Sequence, residues 1–289
     1  MKVLVTGSSG SLGKVLINSL KILDFDYLGI TKSSKTSGKQ TRCNIKKIEQ
    51  ISSVINNYKP DVIIHLAGLT GNEECEKDSK EAFESNVLGT LNILEASRKI
   101  KPKIIFASSR EVYGNVLHKA KESSTLDPIN VNGITKMLSE KLIFTYHDLY
   151  KIPFVILRFT NFYGEQSSKR GISLMIKNAI EGKNIPIIGG DQTLDLLYYN
   201  DAVYAILKSI NYRQSDVFNI GSGENMTLLC IIKKLEFLSK KKIFYEKKPH
   251  KKFIVRKFSA DITKAKKELH YIPMHTFNDV IERMIRKWI

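Results

Sequence analysis

Short apolar runs alternate with amphipathic stretches along most of the chain. Lys2-Val3-Leu4-Val5 is an apolar run fit for a strand buried on both faces. From Lys14 the pattern turns helical, with Leu12, Val15, Leu16 and Leu20 at helix spacing. Asp26–Ile30 reads as a second strand and Gly38–Arg42 as a loop. Asp61–Leu66 is another buried strand. Lys80–Lys99 predicts one long helix, with Ala82, Phe83, Val87, Leu91, Ile93 and Leu94 as its buried stripe. Lys103–Ala107 and Phe154–Phe159 are further strands, and Ile172–Ile180 is a helix. Asn200-Asp201 opens another helix, with Asp201 as a plausible cap. Strands alternating with helices predict an α/β chain around a parallel, doubly wound sheet. No internal repeat and no low-complexity linker breaks the pattern.

The stretch after the first strand carries the clearest chemistry. Thr6 to Gly13 holds Gly7, Gly10 and Gly13, spaced Gly-x-x-Gly-x-x-Gly. Glycines at a tight turn let a backbone approach a pyrophosphate, and the helix behind them offers free N–H groups and a positive dipole end. Strand, glycine turn and helix in that order predict a dinucleotide site. An acidic residue at the end of the second strand would bind a ribose 2′-hydroxyl. Here the segment reads Thr31-Lys32-Ser33-Ser34, whose hydroxyls and cation suit NADP; a Lys32 that simply faces solvent is nearly as good a reading. Ala67-Gly68 is small enough for close approach to the cofactor. His65 reads as a packed strand residue, since nothing acidic stands at triad spacing.

Composition narrows the setting. A chain of 289 residues can hold one large or two modest domains. No apolar stretch reaches the length of a membrane span. Ser8, Ser9 and Ser11 interrupt any signal-peptide run. Cys43, Cys75 and Cys230 are far apart and odd in number, so neither a disulfide framework nor a metal site is expected, and a cytoplasmic setting fits. The net charge of +17 raises a nucleic-acid or membrane-surface partner. About +11 of it falls in residues 233–289, mostly as scattered lysines with no basic stripe among aromatics. A lysine-rich surface is the preferred reading, and a basic cleft would also suit a diphosphate.

Ordered segments then carry a resemblance. TGSSGSLG, HLAG, Asn86–Ala96 (NVLGTLNILEA), Ser108–Gly114 (SSREVYG), Asn132–Lys136 (NGITK) and Arg158–Gly164 (RFTNFYG) follow one another along the chain. Together they resemble the extended short-chain dehydrogenase/reductases, in particular the NAD(P)-dependent sugar-nucleotide epimerase/dehydratase family. Asn219–Leu228 and Ala260–Pro273 resemble that family's C-terminal half. The resemblance implies a Rossmann domain, residues 1–165 with about 196–225. A smaller interleaved domain, 166–195 and 226–289, would cover a sugar nucleotide. It implies a homodimer packed through Lys80–Lys99 and Gly133–Tyr150. It also implies cofactor contacts at Gly7, Ser9, Gly10, Ser11, Leu12, Gly13, Thr31, Lys32, Ser33, Asn44, Leu66, Ala67, Gly68, Asn86 and Lys136. Ser108, Asn161 and Arg256 would meet the substrate. Ile185–Ile188 with Gly189-Gly190 resembles a hairpin near the nucleotide, and there the usual Arg-Asp reads Leu194-Asp195.

The family chemistry is reversible oxidation of a sugar hydroxyl, with Tyr-x-x-x-Lys handling the proton and a Ser or Thr holding the oxygen. Lys136 and Ser109 fill two of these places, but the Tyr place is Asn132. Asn does not titrate, so it can bind a hydroxyl or a water but cannot be an acid or base. Asn130-Val131-Asn132-Gly133 resembles the Asn-Val-Met-Gly of long membrane-associated dehydratases that also lack the Tyr. Glu111 then leads as acid/base, against a surface carboxylate paired with Arg110 or Lys136. Arg110 stands where a family dehydratase carries Asp beside its Glu base, which weakens an elimination. Tyr113 belongs to a turn with a structural role. The leading expectation is redox chemistry at C4 of a sugar nucleotide, as 4-epimerase or 4-keto reductase, in surface polysaccharide or deoxysugar biosynthesis. The alternatives are a binder of both ligands that has lost turnover, and a sugar-nucleotide dehydratase.

Overall fold

A computed structural model describes residues 1–33, 38–167 and 171–288. Ser34, named with the cofactor segment, and residues 168–170 of the expected smaller domain lie outside the described residues. In chain order the strands are β1 (Lys2–Thr6), β2 (Asp26–Thr31), β3 (Gln40–Arg42), β4 (Val62–His65), β5 (Lys103–Ser109), β6 (Phe154–Phe159), β7 (Asn161–Tyr163), β8 (Ile185–Ile188), β9 (Thr193–Tyr198), β10 (Asp216–Ile220), β11 (Asn225–Thr227) and β12 (Tyr245–Lys248). The helices are α1 (Ser11–Ile22), α2 (Ile48–Tyr58), α3 (Asn72–Lys77), α4 (Ser79–Phe83), α5 (Gly89–Ser97), α6 (Val131–Tyr150), α7 (Gly171–Ile180), α8 (Tyr199–Asn211), α9 (Leu228–Ser239), α10 (Thr263–Glu268) and α11 (Phe277–Trp288).

A seven-stranded sheet runs β10-β6-β5-β4-β1-β2-β3, every pair parallel. Helices cover both faces, so its strands are apolar runs rather than alternating ones. All six residues of β6 are buried. Each Val, Leu or Ile so buried contributes about 1.5–3 kcal/mol. The winding reverses between β1 and β4, and a doubly wound sheet opens a crevice at the strand ends beside such a point. The expected α/β Rossmann architecture is therefore present.

A second layer of structure sits beyond those strand ends. Here β9 lies between β7, parallel, and β11, antiparallel, and β8 pairs with β12. Their core takes Ile176, Ile187, Ile231 and Leu235, and α11 adds Phe277, Val280, Ile281 and Met284 at spacings of three and four. Ala265, Leu269 and Tyr271, which the expected division gives to the smaller domain, pack instead in the core of the parallel sheet.

Four local readings are corrected. Residues 40–42 are not loop but the edge strand β3, registered Gly29↔Gln40 to Thr31↔Arg42; a polar three-residue edge strand has no apolar pattern to announce it. The helix across Lys80–Lys99 is interrupted by a π-turn at Glu84–Leu88, which points Ser85 and Asn86 inward and leaves Phe83 half exposed. β8 does not form a hairpin with β9; it runs parallel to β12, with Ile185 opposite Tyr245. Asp201 does not cap α8, whose N-cap is Tyr198. Its carboxylate instead accepts from the Met274 and His275 backbone N–H groups and from the His275 ring.

Candidate active site

The glycine turn joins β1 to α1 and is shaped by what it touches. Gly7 has φ +69°, and a Cβ there would stand 2.8 Å from the Ala67 nitrogen. A Cβ on Gly13 would stand 2.3 Å from the Gly7 carbonyl. No side chain caps α1, whose N-cap is Gly10, so its first N–H groups face the crevice. A dinucleotide fits this cradle: the glycines give backbone access and the open helix end suits a pyrophosphate. Ser9, Ser11 and Leu12 line the same turn. At the end of β2 the Ser9 and Thr31 hydroxyls lie 2.7 Å apart, and Thr31 Oγ1 accepts from the Ser33 N–H. Lys32 is 79% exposed and pairs with Glu81 at 3.6 Å. Asn44 turns inward on its own segment, its Oδ1 accepting from the Lys46 N–H.

Buried polar contacts fix the floor between β1 and β4. The Ala67 N–H donates to Thr6 Oγ1, and Thr6 meets His65 Nδ1 at 2.8 Å. Thr90 donates to the Asn86 carbonyl, so its contact with His65 Nε2 needs a proton on that nitrogen. His65 is thus the neutral Nε2–H tautomer, and burial pulls its imidazole down to about 3. It is a packed strand residue that ties β1, β4 and α5 together. Asn86, in the π-turn, bonds both the N–H and the carbonyl of Leu69, and donates to Thr135. That pins the Leu66-Ala67-Gly68 segment, where a Cβ on Gly68 would stand 2.5 Å from Asn86 Oδ1.

Lys136 lies beneath this segment on α6. Its Nζ donates to the Ala107 carbonyl at 2.7 Å and sits 4.7 Å from the Phe106 ring centroid. Burial pulls its ammonium down from its ordinary range to about 8, against smaller upward pulls from Cys75 and Glu140. Asn132, four residues earlier, shares its helix face. Its Nδ2 donates to Asn72 Oδ1 at 3.2 Å, while its buried Oδ1 has no partner.

Glu111 is buried rather than superficial. It pairs with Arg110 at 2.9 Å and accepts from Asn130 at 2.6 Å and from Asn72 at 3.1 Å. Of the two pairings expected for it, Arg110 is realised and Lys136 is not. Ser109 accepts from the Glu111 N–H and caps the 3-10 turn that follows β5. Ser108 is buried, with its hydroxyl donating to Glu140. Glu140 in turn grips Arg158 with both oxygens, and Arg158 also donates to Tyr113, whose hydroxyl donates to Asn219. Tyr113 is therefore part of the wall.

Beyond the sheet, Asn161 turns a buried, unpartnered Oδ1 inward. Arg256 is half exposed and meets Asp191 at 3.0 Å, a carboxylate that His250 also contacts at 2.6 Å. Asp195 is fully buried and accepts from Ser222, Gly223 and Thr160, holding the turn after β10. Sequence reasoning missed Asn72, Asn130 and the burial of Arg110. Asn130 was legible as the N-cap of α6, since it accepts from the Gly133 N–H. Asn72 carries no local signal. Among the described residues, no helix is long and apolar enough to cross a membrane.

Known proteins are similar to this chain in sequence and fold. The model of a family described as NAD dependent epimerase/dehydratase matches residues 3–221. A putative UDP-glucose 4-epimerase of Methanocaldococcus jannaschii is 32% identical, over 78% of each chain. A UDP-glucose 4-epimerase of Thermotoga maritima, solved with UDP-glucose, superposes with a TM-score of 0.92 at 25% identity, covering 99% of this chain and 98% of that one. A UDP-glucuronic acid 4-epimerase of Bacillus cereus, solved with UDP-glucuronic acid and NAD, does so with 0.90 at 28% identity, over 100% of both chains.

Proposed function

Because the chain belongs to the NAD dependent epimerase/dehydratase family, we propose that it binds NAD(P) on the glycine turn and carries out redox chemistry at C4 of a sugar nucleotide, as a 4-epimerase or 4-keto reductase. One observation carries this reading: the buried Lys136, its ammonium brought down to about 8 and its Nζ 3.9 Å from where a Cβ on Gly68 would stand, follows by one helical turn on α6 an Asn132 whose buried carbonyl oxygen has no partner. When bound, the nicotinamide would take up and return a hydride. The protein's part is to hold the hydroxyl and move its proton. Asn132 Oδ1 accepts the hydroxyl hydrogen bond but cannot keep the proton. The neutral amine of Lys136 can, and its pKa lies close to working pH. Glu111, the acid/base expected from its position, has its oxygens engaged by Arg110, Asn130 and Asn72, so we assign it to the frame of the site.

NAD supports the relatives' chemistry. The lack of a carboxylate at the end of β2, with Lys32 exposed beside it, favours NADP slightly here. Arg256 and Asn161 are the substrate contacts we retain. Arg110 in place of a proton-donating acid counts against a dehydratase. Exposed Phe83, Leu88 and Ile134 on the two long helical stretches favour a homodimer through them. The basic surface is read as suited to a diphosphate, with neither nucleic acid nor membrane as partner, in a cytoplasmic enzyme. A binder without turnover is the second reading, favoured by Asn132 itself. The test is calorimetric titration with NAD, NADP and a panel of UDP- and dTDP-sugars, followed by product analysis by NMR and mass spectrometry. A converted sugar supports the enzyme, binding of both ligands without conversion supports the second reading, and binding of neither cofactor removes both.

A further inference from the structure

Asn132, Asn72, Glu111 and Asn130 form one hydrogen-bonded chain across three elements. Asn72 opens α3, Glu111 sits in the 3-10 turn after β5, and Asn130 and Asn132 begin α6. Each link has a direction. A carboxylate accepts and cannot donate, so Asn72 must present its NH2 to Glu111 Oε2, at 3.1 Å. That leaves the Asn72 carbonyl for Asn132, which must present its own NH2, at 3.2 Å. The Asn132 carbonyl is then turned away from the chain, and it is the buried oxygen without a partner. Glu111 is itself held from the other side by Arg110 and by Asn130, which also donates to the Phe253 carbonyl. The polarity is therefore set at Glu111 and read out two amides away.

We propose that Asn72, anchored by Glu111, is a positioning residue that fixes which way round the Asn132 amide sits, so that a carbonyl rather than an NH2 meets the substrate hydroxyl. This rests on the reading of the site as a hydroxyl-oxidising one. A hydroxyl about to lose its proton must aim that proton at an acceptor. An inverted amide would offer a donor and turn the hydroxyl round. A buried carbonyl without its partner is destabilising, so the free site is poised for a donor.

Asn72 is the place to test it, because its isosteres separate polarity from packing. Asn72→Leu keeps the volume and removes both links. Asn72→Asp puts a second carboxylate beside Glu111. With one proton held between the two, the introduced carboxyl can still donate to Glu111 and accept from Asn132; once both are ionised it can no longer donate to Glu111, and repulsion between the two carboxylates draws it off Asn132. The charged groups around that position are Glu111 and Arg110 from the turn after β5, and Lys136 from α6. On its own helix are Glu73, paired with Lys251, Glu74, the thiol of Cys75, Glu76, which accepts from the Val131 N–H, and Lys77 in its last turn.

The experiment measures kcat and cofactor affinity against pH for the full-length wild type and both variants, together with neutron diffraction of the ligand-free wild type. The expected kcat of Asn72→Leu is lower on the order of 10- to 100-fold at every pH, with cofactor affinity unchanged. Asn72→Asp should recover turnover at acid pH and lose it as pH rises, through a transition at more acid pH than the wild type's own near 8. Deuterium on the Asn132 nitrogen should point at Asn72. Wild-type kcat in Asn72→Leu would overturn the proposal, and so would equal losses in both variants with unchanged pH profiles. An inverted Asn132 amide in the neutron map would overturn it whether or not the protein turns over. A wild type that binds no sugar nucleotide, but shows the expected amide, refutes the proposed function and leaves the polarity standing.

Discussion

The glycine turn after β1 and the polar chain at the end of β5 face the same crevice, and they are built by opposite means. The turn is backbone: Gly7, Gly10 and Gly13 leave out every side chain that would fill it, and α1 offers its uncapped end. The chain at β5 is side chain throughout, with Asn72, Glu111, Asn130 and Asn132 drawn from three separate elements. A backbone site has one solution, so its sequence hardly varies from the pattern expected of it. A side-chain site has many, and here an amide, Asn132, stands at the place where the sequence resemblance implies a phenol.

The contrast breaks first at the turn. Gly13→Ala brings a methyl group to within 2.3 Å of the Gly7 carbonyl, a backbone atom that cannot yield without opening the turn. Cofactor affinity by calorimetry should fall at least 100-fold, about 2.7 kcal/mol. An unchanged affinity would mean that the dinucleotide does not use this cradle.

At the other end the largest effect belongs to Lys136→Met. Removing a positioned acid/base costs on the order of 10²–10⁴ in rate. The same change should raise stability by about 1–3 kcal/mol in urea unfolding at neutral pH, because the folded state no longer has to hold a desolvated ammonium. Loss of rate together with loss of stability would make Lys136 a structural cation instead.

The pH profile follows from the same group. The folded pKa of Lys136 is lowered to about 8 from an ordinary 10.5, so the neutral amine appears as pH rises through about 8. Oxidation of the sugar hydroxyl should therefore rise across that window, and reduction of a 4-keto sugar should fall across it. Stability works in the same sense. Between about 8 and 10.5 the unfolded chain binds the extra proton, so raising pH favours the folded form. A flat rate profile between pH 7 and 9 would take the proton away from Lys136.

The smallest effect is expected at Lys32, which is exposed and paired with Glu81. Lys32→Ala should weaken NADP by a few-fold and leave NAD unchanged, since an exposed ion pair is worth about 1 kcal/mol or less. Equal weakening of both cofactors would end the reading of Lys32 as a 2′-phosphate contact.

How far the sequence could be read follows the same division. The parallel sheet was legible because its strands are unbroken apolar runs, and the turn because its glycines stand between a strand and a helix. β3 was not, because Gln40–Arg42 has no apolar residue and owes its strand conformation to the exposed edge of β2. The π-turn was not, because Asn86 faces inward for contacts to Leu69 and Thr135 that lie far along the chain. Glu111 was legible as a candidate by position. Its surroundings were not, because Asn72 lies 39 residues away along the chain and Asn130 19.

The central claim is that an amide and a buried lysine do the work usually shared with a phenol. Single-turnover mixing of the NAD(P)-loaded wild type with its sugar nucleotide, read by the absorbance of reduced nicotinamide, tests it most directly. The account predicts transient or lasting reduction in the wild type, faster above pH 8 than below, and reduction slower on the order of 10²–10⁴-fold in Lys136→Met despite intact binding of both ligands. Full binding of both ligands by the wild type with no reduction at any pH would contradict it, and would make this chain a binder of cofactor and sugar nucleotide without turnover.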